Sequence, residues 1–571
     1  MTTDLRSAAI DELEARWGPA TDPVNPLGHA AVLAADEAGE ALGAGERMLD
    51  DFHLNAEFVP ESLGGRLRQI DRFAVRLRSV FRRDPVLGLG YGAASFIGAV
   101  PVWTSGSADQ RRWLADVLLS DQRVAAGYTE LAHGGDFSRA SLRAVPGPTG
   151  FQLSGGKQLI SNAHRARAAT LFARTADDRG SRSHSHLLLD LESLPAGRVR
   201  RSARYRTSGM RALRLGGMDF LDCPAPADSL VGELGGGIET VLRAFQVTRC
   251  VLPGMGVGVL DTQLRLAMRF ARERVLYGRP VDDLPMTRSV LVGAFVDLLV
   301  CECTSLVAAR GLHVIPGQSS VHAAAVKYLV PHLLLDADYR LSTLLGARSY
   351  LREGPFGIFQ KNSRDLAVAM LAHASSATCL ASLVPQLPRL AGRSWLRAEP
   401  PPAELFHLGG PLPEIDLGRL TLSAGGVDNL TAVPAALLEE PGLLAGEPRL
   451  EQLCRLFVQE LAGLRTACDE LAPRDRTVAA GPAAFDLAER YAAVLAASAC
   501  LGVWWHNRGT GNAFLGEPAW IVAVLRRLAE RLGLDPEPAD GGDVERRLYR
   551  ELCDRIDDGR ALDLTSGKLA T

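Results

Sequence analysis

Between residues 123 and 232 the chain loses its helical period and breaks into short runs separated by Gly, Pro, Asp and Ser. Gln152-Leu153-Ser154, Ala169 to Ala173 and His186 to Leu191 are such runs, the pattern of strands bounded by turns. Gly147-Pro148-Thr149-Gly150 has the composition of a hairpin turn. An antiparallel β region is therefore expected, and both its flanks read as helix. Ser107 with Gln110 three residues on is a capping-box signature and predicts a helix over 107–120. In 257–277, Val257, Leu260, Leu264, Met268, Ala271 and Val275 line one face, while Asp261, Arg265, Arg269 and Arg272 line the other. Gly278 and Pro280 are expected to stop that helix. Segments 289–312 and 321–345 repeat the pattern at similar length, as antiparallel bundle helices do.

The resulting fold class is α+β, mostly α. A helical domain over 1–122 precedes a middle antiparallel β domain over 123–236 and a C-terminal four-helix bundle over 237–398. A Pro/Gly-rich hinge from Glu399 to Pro413 then leads into an appended helical domain over 399–571. Hydrophobic residues at 47% and charged residues at 23% exclude a disordered chain, a collagen-like fibre and a coiled coil. With 63 basic against 66 acidic residues, the balance of −3 makes no case for nucleic acid or an anionic membrane. The nine cysteines are scattered and odd in number, which reads as reduced thiols of a cytoplasmic protein. The N-terminus has acids and no apolar h-region, and the last residues are not a peroxisomal signal. Val86 to Trp103 carries no charge over 18 residues, but its four glycines and Pro101 suit a buried helix better than a membrane span. His184 and His186 lack a third ligand nearby, so no metal site is expected.

Five motifs then occur in order. Val59-Pro60-Glu61-Ser62-Leu63-Gly64-Gly65 is followed by Tyr128-Thr129-Glu130-Leu131-Ala132-His133-Gly134-Gly135-Asp136 and by Lys157-Gln158-Leu159-Ile160-Ser161-Asn162. Gly209-Met210-Arg211 leads to Gly235-Gly236-Gly237, and Phe270 to Pro280 ends in Arg274-Val275-Leu276-Tyr277-Gly278-Arg279-Pro280. Together they resemble the acyl-CoA dehydrogenase superfamily over about residues 30–385. The resemblance implies an FAD cofactor held by Tyr128, Thr129, Gly134, Gly135, Leu159 and Ser161. Ser161 stands where the family has a Thr at the flavin, and Leu159 replaces the family's Trp. Arg274 resembles the arginine that pairs with the FAD pyrophosphate of a neighbouring subunit, with Tyr277 in place of a Phe. A homodimer follows, and relatives with a C-terminal helical extension are dimers.

The family's reaction takes the α proton of an acyl thioester with a carboxylate while hydride leaves Cβ. Nine residues after an Arg-Asp pair, where most members carry Glu, Arg364-Asp365 is followed by His373. The alternative family position, just before a bundle-helix arginine, reads Thr248-Arg249. Neither holds a carboxylate. His373 is therefore the candidate base, with Arg249 and Thr248 beside the substrate. The expected function is α,β-dehydrogenation of a CoA- or carrier-protein-bound acyl thioester, with specialised biosynthesis as the suggested setting and an electron-transfer flavoprotein or oxygen as acceptor. A flavin-dependent monooxygenase or oxidase, or a non-redox thioester-binding homologue, remains the alternative. His133, in the flavin loop, reads as either a solvated residue or one facing substrate.

Overall fold

The computed structural model describes residues 8–178, 180–371, 375–536 and 542–570, without the side chains of 137, 369 and 370. Two compact units form: one from Ala30–Arg68 and Asp84–Thr248, the other from Met1–His29, Gln69–Arg83 and Arg249–Thr571. The N-terminal helices are α1 (Ala8–Trp17), α2 (His29–Ala38), α3 (Gly43–Asp51), α4 (Ile70–Arg83), α5 (Ala94–Ser105) and α6 (Ala108–Leu119).

In the first unit the uncharged run is helical and buried along its whole length from Leu87 to Ser105 apart from a half-buried last residue, and it opens with a π-helical stretch at Leu87–Ala93. Gly98 lets α5 lie against the first strand, since a Cβ there would sit 2.8 Å from Val124 Cγ1. The expected cap of α6 is present in both directions: Gln110 N donates to Ser107 Oγ at 3.2 Å, and Ser107 N to Gln110 Oε1 at 2.9 Å.

The strands are β1 (Val124–Gly127), β2 (Arg143–Gly147), β3 (Gly150–Ile160), β4 (Ala168–Arg174), β5 (His184–Asp190), β6 (Val199–Arg201), β7 (Gly216–Pro226) and β8 (Leu230–Val231). They run in the order β6-β7-β3-β2-β4-β5-β8, with β1 beside β4. Pro148-Thr149 closes the β2–β3 hairpin, with Gly147 opposite Gly150. Pairing is antiparallel except at β1–β4 and β2–β4, so the sheet is mixed rather than purely antiparallel. Parallel neighbours need a long crossover, and the whole β2–β3 hairpin lies between β1 and β4 in sequence. Leu142, Leu153, Leu171, Leu187, Met218 and Phe220 form the core on one face.

The second unit is helical. Its long helices are α7 (Gly237–Glu273, whose first turns belong to the other unit), α8 (Pro285–Val314) and α9 (Ser319–Leu345). Helix α7 ends at Glu273, four residues before the expected last helical residue, Tyr277. Val275–Leu276 (β9) and Arg279–Pro280 (β10) pair instead as a ribbon, and Tyr277 and Gly278 at its tip both have positive φ. That is the two-residue turn whose twist suits a hairpin, so Gly278 serves the ribbon rather than the helix end. Among the described residues three helices are long and apolar enough to cross a membrane, Leu87–Ser105, Pro285–Val314 and Pro482–Asn507, but their apolar windows are 83–100% buried within the protein.

Residues after 398 are built into this unit by buried polar side chains. Asp428 is fully buried and accepts from Tyr491 Oη at 2.9 Å, Thr431 Oγ1 at 3.1 Å and Trp395 Nε1 at 3.3 Å, with His322 Nε2 3.4 Å away. Burial alone would raise its pKa, but these partners hold it below the usual carboxylate value. Asp563 pairs with Arg78 Nη1 at 3.0 Å, and the same guanidinium holds Glu302 at 2.5 Å. The expected hinge at 399–413 is a packed strap. Leu405 and Phe406 are fully buried, and a Cβ on Gly502 would lie 2.3 Å from the Phe406 ring. His313 Nε2 accepts from Ile70 N at 3.1 Å while Nδ1 lies 2.9 Å from Pro413 O, which calls for the neutral ring with its proton on Nδ1.

Two predictions follow from these buried groups. Asp428→Ala leaves its donors without an acceptor and should cost about 3–5 kcal/mol in denaturant unfolding. Burial lowers the His313 pKa below 6.5, so the unfolded chain takes up this proton first as pH falls. Stability should therefore drop below about pH 6.5 by up to about 1.4 kcal/mol per pH unit from this group. The slope should be shallower in His313→Gln when denaturation midpoints are compared across pH.

Candidate active site

The chain leaves β1 through Tyr128, Thr129 and Glu130, and a buried ion pair sets the course of this loop. Lys157 is fully buried on β3, and its Nζ donates to Glu130 Oε1 at 2.7 Å and to Tyr128 O at 3.3 Å. Glu130 also accepts from Ser141 N at 2.7 Å, Ser141 Oγ at 2.6 Å and Leu142 N at 3.0 Å. Burial alone would raise the Glu130 pKa, but Lys157 and these donors hold it down at about 2. Gln158 N donates to Thr129 O at 2.9 Å, which places Thr129 against the end of β3.

At that end β3 bulges. Its register with β7 shifts between Lys157 and Ile160, and Leu159 takes φ +53. Such a conformation costs a non-glycine residue about 1–3 kcal/mol, and bulges beside functional sites re-aim side chains. The bulge falls between Gln158, which bonds to the Thr129 loop, and Ser161, three residues on. Asn162, also at positive φ, follows and donates through Nδ2 to Gly90 O in the π-helical stretch at 2.7 Å. Thr129 and Ser161 are each half-buried, and among the described residues neither hydroxyl has a hydrogen-bond partner.

Tyr128 is buried between two rings. His186 stacks on it at 5.6 Å and 14°, and Phe245 of α7 meets it edge-on at 5.4 Å. Burial pushes the His186 pKa down to about 3, so that ring is neutral. His184 stacks on Phe172 at 4.7 Å. Both histidines are thus packed in the sheet, and among the described residues no group of three His, Cys, Asp or Glu is placed to hold a metal. Gly134 and Gly135 are exposed, Gly134 at φ +56.

The other predicted site residues lie along the helices. Thr248 is buried three residues after Phe245 and donates to its carbonyl at 3.3 Å, which puts it within a turn of Tyr128's ring contact. Arg249, also buried, opens the second unit's part of α7. Near it lies Lys327 of α9, whose pKa burial brings down to about 8, with the Arg249 charge adding to the fall. Arg274 is exposed at the base of the β9–β10 ribbon, and Tyr277 at its tip is 89% exposed. His373 lies outside the described residues.

Sequence reading named Lys157 only within a motif and His186 only as a metal-ligand candidate, and it did not single out Phe245 or Lys327. A lysine in β3 and a glutamate following β1 were visible, but their meeting depends on strand order. Lys327 sits in an otherwise apolar stretch of α9, and a lone lysine there carries no signal of its own.

Residues 235–372 match the family described as acyl-CoA dehydrogenase, C-terminal domain. A mitochondrial isovaleryl-CoA dehydrogenase of Oryza sativa subsp. japonica is 23% identical over 253 residues, 44% of this chain and 61% of that protein. The match therefore spans less than two thirds of that relative. Butyryl-CoA dehydrogenase from Megasphaera elsdenii superposes with a TM-score of 0.59 at 17% identity, covering 66% of this chain and 97% of its own. The prolyl acyl carrier protein oxidase AnaB superposes with a TM-score of 0.58 at 15% identity, covering 66% and 97%. At these identities the two structures speak to the fold alone. With the family match and the ordered motifs beside them, the chain belongs to the acyl-CoA dehydrogenase superfamily.

Lys157→Met removes the cation from a buried carboxylate that anchors both ends of the loop. Thermal and denaturant unfolding should show a loss of about 3–5 kcal/mol, while Glu130 and Lys157 replaced together by apolar residues should recover part of it.

Proposed function

We propose that the protein is an FAD-dependent enzyme that removes the α and β hydrogens of an acyl thioester carried on CoA or on a carrier protein. The observation that carries this reading is the pairing of the Thr129 loop with the β3 bulge. Two hydroxyls free of described protein partners, Thr129 and Ser161, stand there with Leu159 turned out of the strand's register. Those groups fit the polar edge of an isoalloxazine ring, and family membership supports FAD. When bound, FAD supplies the two-electron acceptor for the oxidation.

The chain's own residues divide the remaining work. His373 takes the α proton in place of the family's glutamate, and Arg249 and Thr248 position the thioester. Arg274 reaches the pyrophosphate of FAD in a second subunit, so the working form is a homodimer. An exposed ribbon that puts Val275, Leu276 and Tyr277 into solvent in the isolated chain supports that reading. An electron-transfer flavoprotein or oxygen then removes the electrons. A carrier-bound acyl group and a role in specialised biosynthesis are part of this proposal, and AnaB, a prolyl acyl carrier protein oxidase, has the same fold.

Anaerobic addition of acyl-CoA and carrier-bound acyl thioesters to the purified yellow protein should bleach the flavin absorbance. His373→Ala should keep the flavin and slow bleaching by about a hundredfold or more, the usual contribution of a positioned base. An unchanged rate would remove His373 from the mechanism. Bleaching by no thioester, together with hydroxylated product from externally reduced flavin and oxygen, would make the protein a monooxygenase.

A further inference from the structure

A surface that the dehydrogenation reading leaves unused lies where the bundle passes into the appended residues. Between Asp365 and Glu399 the sequence has three arginines, Arg389, Arg393 and Arg397, and no acid. Arg389 and Arg393 sit on the short helix Leu387–Arg393, and Arg397 follows in the turns after it. All three are exposed, and among the described residues none is paired with a carboxylate. Elsewhere this chain balances helix arginines with an acid four residues away, as in Arg16–Glu12, Arg455–Glu451 and Arg526–Glu530. Here that balance is missing.

Apolar side chains complete the patch. Residues 421–427 form a loop that lies close over the helix: a Cβ on Gly426 would meet Arg393 Cδ at 2.8 Å and Arg389 O at 3.0 Å. Arg393 Nη1 donates to Gly425 O at 3.1 Å and Arg397 Nη1 to Gly392 O at 2.9 Å, so two of the three guanidinium groups are held in place. On the same loop and the same turns Leu422, Val427 and Leu396 are 46%, 47% and 37% exposed. Leu396 takes φ +62, while Trp395 before it is fully buried and donates to Asp428 at 3.3 Å. Asp428, the acid that follows Val427, spends its oxygens inward on Tyr491, Thr431 and Trp395 and pairs with none of the arginines.

We infer that this patch docks an acidic amphipathic helix of a partner protein. Carboxylates at positions i and i+4 of such a helix lie ~6 Å apart along its axis, the same rise that separates Arg389 from Arg393. The apolar residues of the partner helix then cover Leu396, Leu422 and Val427. Apolar side chains grouped with unpaired charge mark an interaction surface, where scattered ones would not. Arginine also favours a protein over a lipid surface. A guanidinium fixed by a backbone carbonyl meets a carboxylate through directed N–H donors, whereas an anionic membrane asks only for diffuse positive charge. The inference stands apart from the flavin chemistry, because none of these six residues has a part in it.

The test is the binding of a fluorescently labelled helical peptide, with Glu repeated every four residues and Leu on the adjoining face, to the full-length protein by anisotropy. Wild type should bind it saturably and more weakly as salt rises. Arg389→Ala, Arg393→Ala and Arg397→Ala together should raise Kd about tenfold, the combined worth of three exposed ion pairs. Leu422→Ser should raise it about fivefold or more through lost apolar contact. Arg389→Glu alone, at a side chain with no bond to the loop, should weaken binding while leaving thermal unfolding and flavin content at their wild-type values. The same peptide with Lys in place of Glu should not bind. Absence of saturable binding, or an equal Kd in wild type and the triple variant, overturns the inference. Phosphatidylglycerol vesicles or duplex DNA bound more tightly than the acidic peptide, and released by the triple substitution, would make the patch a lipid or nucleic-acid surface and overturn it as well.

Discussion

The candidate site hangs on one buried pair, Lys157 and Glu130. A lysine without water around it must find an anion, and the one in reach stands immediately after Thr129. Glu130 in turn collects the backbone of Ser141 and Leu142, so a single carboxylate pins the loop at both ends. The course of the loop that carries the Thr129 hydroxyl follows from that anchoring. Replacing the pair by well-packed apolar side chains would hold the same space, but it would give the loop no comparable set of directed bonds.

The helical unit solves a different problem. Its last 170 or so residues could have formed a separate body, but they bring buried polar groups that need partners from the bundle. Asp428 finds its partners on three other segments, at His322, Trp395 and Tyr491. Asp563, near the end of the described chain, meets Arg78 of α4 beside Glu302 of α8. Burial raises the Glu302 pKa to about 7 even with Arg78 beside it, since each further carboxylate in this cluster opposes its ionisation. Charge sites of this kind add little net stability, because each pair costs desolvation before it returns anything.

Much of the fold was legible. The capping box at Ser107, the hairpin at Pro148-Thr149 and the long amphipathic helices are local features, and the local chain encodes them in spacing and turn residues. What failed to read locally was whatever depended on a partner far away. Gly278 looked like a helix stop because nothing nearby announces a two-residue ribbon, and the Pro-rich stretch after Glu399 looked like a hinge because its burial partners lie a hundred residues on. The parallel pairing of β1 with β4 was hidden for the same reason.

For the site, the residue types and their order belong to the sequence: Thr129 before Glu130, Ser161 after a lysine-led strand, Arg274 at the end of a helix, and a histidine where a carboxylate is usual. Those follow from one-dimensional pattern, which preserves chemistry and spacing. The tertiary structure alone decided that Glu130 is spent on Lys157 and so is structural, that Leu159 leaves the strand's register, and that His186 and Phe245 close on Tyr128. Each of these is a through-space relation among segments brought together only by sheet order and helix packing. Burial then set the value of every charge involved, and burial is a property of the packed chain that no local stretch carries.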